Sequence, residues 1–215
     1  MSDGSASQAH DEYVLVVWDV TESRGAVESL AFRALHDPLT GLANRSLLTD
    51  RIERAVVRAR RDDSYAAVLF CDLDRFKVLN DSLGHDAGDI VLRVISSRLT
   101  DCVRSVDTVG RLGGDELVVV CEGLTDPNEA RILADRIIAE VSEPVPVGDS
   151  LLHMSTSIGI AVCNPDSDAT AVTLRRDADI AMYRAKSESR GAWSFFDVSL
   201  REQAVVRQQL EEDLR

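Results

Sequence analysis

The feature that most restricts how this chain can fold is a pair of adjacent glycines set in a run of β-branched and apolar residues. From Arg104 to Val120 the sequence reads RSVDTVGRLGGDELVVV. Apolar, β-branched flanks around Gly113-Gly114 predict a β-hairpin, because glycine supplies the positive φ angles that a tight primed turn needs. Asp115 and Glu116 follow the glycine pair directly. Neighbouring side chains on a strand point to opposite faces, so the two acids are not expected to serve one simple surface ion pair. Backbone laid bare by glycines, beside acidic oxygens, suits a metal-bound polyphosphate. An ordinary acidic turn fits the same residues, and the hairpin alone does not separate these readings.

A second group of acids bears on the choice. Tyr65 to Cys71 is an apolar run of buried-strand length, and it ends in Asp72-Leu73-Asp74-Arg75-Phe76-Lys77. Packing explains carboxylates at the end of a buried strand poorly, since an unpaired buried charge is costly and a divalent cation would offset that cost. A strand emerging into solvent is the competing explanation. The segment Val78–Asp89 follows, and then an apolar helix through Leu92, Val94, Ile95 and Leu99. Within it, Asn80 offers an amide with both donor and acceptor, and Asp89 a carboxylate that only accepts. A guanine edge presents N1–H and N2–H₂ donors beside O6 and N7 acceptors, so such a pair could read it.

The remaining pattern supplies the scaffold. Asp37-Pro38-Leu39-Thr40-Gly41 breaks any preceding helix, and a new one is expected from about Asn44 to Arg61 on Leu47, Leu48, Ile52, Ala55 and Val56. Asp126-Pro127 starts another, with Asp126 as N-cap, running through Ala130 to Val141. Leu151–Val162 includes another strand, Ser155–Ala161; Leu174–Ser187 reads as a helix and Trp193–Phe196 as a closing strand. Strands alternating with helices, with one antiparallel hairpin, predict an α/β or α+β sandwich around a central sheet. Before this scaffold, residues 1–12 are expected to be disordered and Tyr13–Val20 to form a lone strand. Gly25–His36 is expected to be an amphipathic helix, either packing on the core or serving as a coiled-coil dimerisation linker. Residues 199–215 repeat a helical pattern with dense charge.

Composition narrows the partners. A net charge of −13 argues against sequence-independent DNA or RNA binding, which relies on basic surface, but remains compatible with a nucleotide carried by magnesium. No stretch approaches a transmembrane span, and no basic region with an apolar segment opens the chain, so a cytoplasmic protein is expected. The cysteines at 71, 102, 121 and 163 lack metal-ligand spacing, and three of them, in or next to apolar runs, read as reduced core residues. Against 22 arginines stand only two lysines, Lys77 and Lys186. Both exceptions suit sites that want a compact, flexible ammonium, although a sample this small also arises by chance. A P-loop is excluded, because no Gly-Lys-Ser/Thr occurs.

Together these motifs resemble the GGDEF family of diguanylate cyclases, with the signature spelled Gly113-Gly114-Asp115-Glu116-Leu117. The DPLTGLxNR opening and the upstream Arg-x-x-Asp (Arg104, Asp107) are shared, and the likeness covers residues 37–197 as the cyclase domain. The resemblance implies a nucleotidyl-cyclase palm-like fold with a central, mainly antiparallel sheet flanked by helices. It implies condensation of two GTP into cyclic di-GMP in a homodimer, each protomer carrying one GTP, with Mg2+ or Mn2+ as cofactor.

Under that resemblance Asp72, the Leu73 carbonyl, Asp115 and Glu116 hold the metal, and Asp115 takes the hydroxyl proton. Gly113 and Gly114 admit the phosphates, and Lys77, Lys186 and Arg190 neutralise them. Asn80 and Asp89 select guanine; His85, between them, counts with the nucleotide-binding residues without chemistry of its own. Arg104 and Asp107, joined by Arg136, match an inhibitory product site, for which a local Arg104–Asp107 ion pair is the plain alternative. Ser189 and Gly191 replace the usual glycine and asparagine around Arg190, and Leu117 replaces phenylalanine. Residues 1–22 look like the end of a PAS sensor, 23–36 like a linker, and 198–215 like the connector to an EAL phosphodiesterase domain. A GTP-binding module that regulates such a domain, or a cyclic di-GMP receptor, are the rival functions.

Overall fold

The computed structural model describes residues 32–198. The expected strand at Tyr13–Val20, most of the linker helix and the tail at 199–215 lie outside the described residues. Contacts divide the chain into units 1–34 and 35–215; of the first, Phe32–Ala34 are described and are helical.

Helix α1 (Arg45–Arg61) begins where expected, because Asn44 stays extended and its Oδ1 accepts from the N–H groups of Ser46 and Leu47 at 3.0 and 3.2 Å. Leu48, Ile52, Ala55, Val56 and Ala59 form its buried stripe. Strand β1 (Tyr65–Leu73) follows, buried beyond its first residue. The Val78–Asp89 segment is not a separate approach to one helix. It belongs to two, α2 (Phe76–Leu83) and α3 (His85–Cys102), broken apart at Gly84, whose φ of 85° no helix accommodates.

The hairpin strands are β2 (Thr108–Gly113) and β3 (Glu116–Leu124), followed by α4 (Asn128–Ser142). The strand expected at Ser155–Ala161 forms, and a small hairpin precedes it. Strand β4 (Val145–Val147) pairs with β5 (Ser150–Leu152) in that hairpin, and β6 (Thr156–Cys163) joins the main sheet. Helix α5 (Ala171–Glu188) and strand β7 (Trp193–Phe195) complete the order.

The main sheet runs β2-β3-β1-β6-β7 and is antiparallel except for the β6–β7 pair. Side-chain alternation along β1 divides the interior. Ala67, Leu69, Cys71 and Leu73 face a core with α3 and α4, whereas Ala66, Val68 and Phe70 face α1 and α5. The α/β sandwich expected from sequence is therefore the fold. All four cysteines are free and buried. One close approach sets the functional end: a Cβ on Gly159 of β6 would lie 1.9 Å from the Ala178 carbonyl and 2.1 Å from the Met182 nitrogen. The missing side chain lets α5 rest its backbone on the sheet.

Candidate active site

The hairpin turn falls one residue later than the glycine pair suggested. Gly113 pairs with Glu116, so Gly114 and Asp115 are the turn residues and Asp115 is not on a strand. The cause is a register shift between Arg111 and Gly113, which spends Leu112 as an extra residue. Gly114 has a φ of 53°, and space around both glycines is open, so a bulky group can approach the backbone there.

Register also creates the main electrostatic feature. Asp72 of β1 stands directly opposite Glu116 of β3, on the sheet face that packs against α5. Like charges directly opposed across strands are destabilising, so this pair is not there for the fold. Asp72 is buried, and its Oδ1 meets the Lys186 ammonium at 2.5 Å. Burial pushes the Asp72 carboxyl above the usual range, Lys186 pulls it back, and Asp115 and Asp74 push it up again. Glu116 is raised by burial, by Asp179 and by Asp115, against Arg45 and Arg175. Asp179 is itself raised by desolvation. It precedes Lys186 by seven positions, about two turns of one helix, a spacing that could have flagged it.

These residues fit a divalent cation. No three acids among the described residues converge into a closed cage. Magnesium accompanying a nucleotide, however, typically takes one or two carboxylates and leaves its other positions to water and phosphate. A buried carboxylate whose charge is met by a single ammonium, opposite a second acid, suits that arrangement. Leu73 buries its side chain in the α3–α4 core, leaving its backbone as the group it can offer.

Sequence reasoning gave Asp74 no role, yet it organises the surroundings. Its Oδ2 accepts from Ser155 Oγ at 2.6 Å and the Gly191 N–H at 3.1 Å, and its Oδ1 from Ser157 Oγ at 2.9 Å. It thereby ties the end of β1 to the start of β6 and to the loop carrying Arg190. The alternate hydroxyls of Ser155 and Ser157 were the available signal. Gly191 has a φ of 73°, a conformation asparagine also tolerates, which accounts for that departure.

Of the two residues expected to read guanine, Asn80 sits on α2 and Asp89 on α3. The Asn80 Oδ1 is buried without a partner, and a Cβ on Gly88 would lie 2.0 Å from it. Asp89 is half-buried, while Lys77 and His85 are exposed. Leu117 is fully buried in the α3–α4 core, on the sheet face away from Glu116.

Arg104, Asp107 and Arg136 share a separate cavity of about 400 Å³. The local Arg104–Asp107 side-chain pair does not form. Arg104 Nη2 contacts Glu129 Oε2 at 2.5 Å, and Asp107 accepts the backbone N–H groups of Arg104 and Glu122 at 3.0 and 3.2 Å. Arg136 donates to the Cys102 carbonyl. Glu129 was missed, although Asp126-Pro127-Asn128-Glu129 has the spacing of a helix cap in which the fourth residue reaches back.

Residues 34–192 match the family described as Diguanylate cyclase, GGDEF domain. The chain belongs to this GGDEF family. It is 44% identical over 182 residues to the bifunctional diguanylate cyclase/cyclic di-GMP phosphodiesterase MucR of Pseudomonas aeruginosa, covering 85% of this chain and 26% of MucR. The chain thus spans about a quarter of that relative's length. The isolated GGDEF domain of TpbB (YfiN) from the same organism superposes with a TM-score of 0.75 at 41% identity, covering 79% of this chain and 98% of the other. The coiled coil and GGDEF domain of DgcB from Caulobacter crescentus, in complex with c-di-GMP, gives 0.74 at 26% identity, covering 82% and 93%. No helix among the described residues of this GGDEF chain is long and apolar enough to cross a membrane.

Proposed function

We propose that this chain condenses two GTP into cyclic di-GMP, as one half of a homodimer in which each protomer presents one nucleotide. The observation that carries this reading is Asp72 opposed to Glu116 beside the turn that bears Asp115, with Lys186 at hand. Each 3′-hydroxyl attacks the α-phosphorus of the other nucleotide in line. Its proton passes to Asp115, and the bond to the leaving pyrophosphate breaks. Asp72, Glu116, Asp115 and the Leu73 carbonyl would hold Mg2+ or Mn2+, which when bound supplies activation of the hydroxyl and neutralisation of the leaving group.

The remaining roles belong to the chain itself. Lys186 transfers its charge from Asp72 to phosphate, assisted by Lys77 and Arg190. The unpartnered Asn80 Oδ1 accepts from the guanine N–H edge, with Asp89 as the second acceptor. The open backbone at Gly113-Gly114 admits the phosphates. Cyclic di-GMP returns to the cavity of Arg104, Asp107 and Arg136 and restrains synthesis from there.

The test is incubation of the full chain at high concentration with GTP and Mg2+, with the product identified by mass spectrometry. Cyclic di-GMP and pyrophosphate are expected. Tight GTP binding without product would replace this reading by a regulatory GTP-binding module, a role that the pairing of cyclase and phosphodiesterase in the name of MucR favours as second choice.

A further inference from the structure

The cavity of Arg104 is already partly filled by the protein's own chemistry. The Glu129 carboxylate bridges two anchors: Oε2 takes Arg104 Nη2, and Oε1 takes the N–H and Oγ1 of Thr125, each at 2.8 Å, together with the Asp126 N–H at 3.2 Å. It is therefore held at the start of α4 and does not swing freely with the arginine. Arg104 and these donors hold the Glu129 carboxyl down at about 2, so it stays ionised at any working pH. Around the cavity the acids Asp101, Asp107 and Glu129 outnumber the guanidiniums of Arg104 and Arg136. Both arginines are also committed to internal acceptors, Glu129 and the Cys102 carbonyl.

We infer that Glu129 is an internal competitor for Arg104, which weakens the hold of this cavity on a dianionic cyclic dinucleotide and so raises the concentration at which product restrains synthesis. This rests on the reading of the cavity as a cyclic di-GMP site. A ligand phosphate or guanine edge that claims the full Arg104 fork must take Nη2 from Glu129, and then sits near a fixed negative charge. Glu129→Gln keeps the side-chain shape and removes that charge.

Calorimetry of cyclic di-GMP against the full chain, its Glu129→Gln, Glu129→Ala and Arg104→Ala variants, tests the idea. Thermal melts check that each variant is folded. Both Glu129 variants should bind roughly tenfold tighter, the effect of removing one unit charge a few ångströms from an anion in a partly screened site. Arg104→Ala should lose binding. If the Glu129 variants bind equally or more weakly while Arg104→Ala still loses binding, Glu129 is an aid or a bystander and the competitor role is overturned. If Arg104→Ala binds like wild type, the cavity is not the cyclic di-GMP site at all.

Discussion

Asp37 and Arg111 stand 74 positions apart in the chain and form a half-buried ion pair, Arg111 Nη1 to Asp37 Oδ1 at 3.0 Å. The same guanidinium turns its Nε and Nη2 to the Gly114 carbonyl at 3.0 and 2.8 Å. Asp37 in turn accepts from the Thr40 N–H and hydroxyl at 2.9 and 2.7 Å. One arginine thus clamps the turn that carries Asp115 to the loop at which the domain begins. Arg111→Ala should lower cyclic di-GMP synthesis by about 100-fold, the scale of a misplaced catalytic group, while the domain still melts cooperatively. A wild-type rate in that variant would show that the turn needs no clamp.

The clamp also has an acid limit. Burial alone would raise the Asp37 carboxyl, but the bonds from Thr40 and Arg111 outweigh it and hold it below its usual 3.8. A depressed carboxylate contributes stability that is present above its unfolded value and is lost as pH falls through the folded one. Urea unfolding should therefore separate wild type from Asp37→Asn fully at pH 7 and progressively less below pH 3.8. A separation that stays constant through that range would remove the ionised Asp37 from the clamp.

Asp115→Asn and Glu116→Gln should each abolish synthesis, by about 1,000-fold or more, because the proposed mechanism uses Asp115 as proton acceptor and Glu116 as a metal-side acid. Glu116→Gln also relieves the repulsion with Asp72 and should raise stability by about 0.5 kcal/mol. Product assays and melting curves on the same samples report both effects. Near-wild-type synthesis by either variant would take that carboxylate out of the mechanism.

Specific activity should rise with protein concentration, since the proposed reaction needs two nucleotide-loaded protomers to meet for each product. Titrating the enzyme from nanomolar to micromolar alongside light scattering checks this. A flat profile from a monomer would exclude the two-protomer arrangement.

Gly159→Ala places a methyl group within 1.9 Å of the Ala178 carbonyl and must push α5 off β6. Overpacking of this kind costs about 2 kcal/mol or more, read by chemical denaturation. Because Lys186 rides on α5 and meets Asp72 from there, GTP affinity should fall as well. Unchanged stability would mean the helix can retreat freely.

The local pieces are legible in short stretches of residues. The continuous apolar run Tyr65–Cys71 marked a buried strand, Asn44 marked a helix start, and glycines between β-branched runs marked the hairpin, because run length, capping and turn conformation are properties of a few adjacent residues. The likeness to the family then supplied candidate site residues position by position. Their partners emerge from the packed fold. The bulge at Leu112 moved Asp115 into the turn, strand register set Asp72 against Glu116, and Arg104 chose Glu129, 25 positions away, over neighbouring Asp107. The buried Asp74 and its three donors likewise come from separate segments. Register and long-range pairing follow from how whole faces pack and which buried polar atoms must be satisfied, and neither condition is written in the spacing of any one stretch.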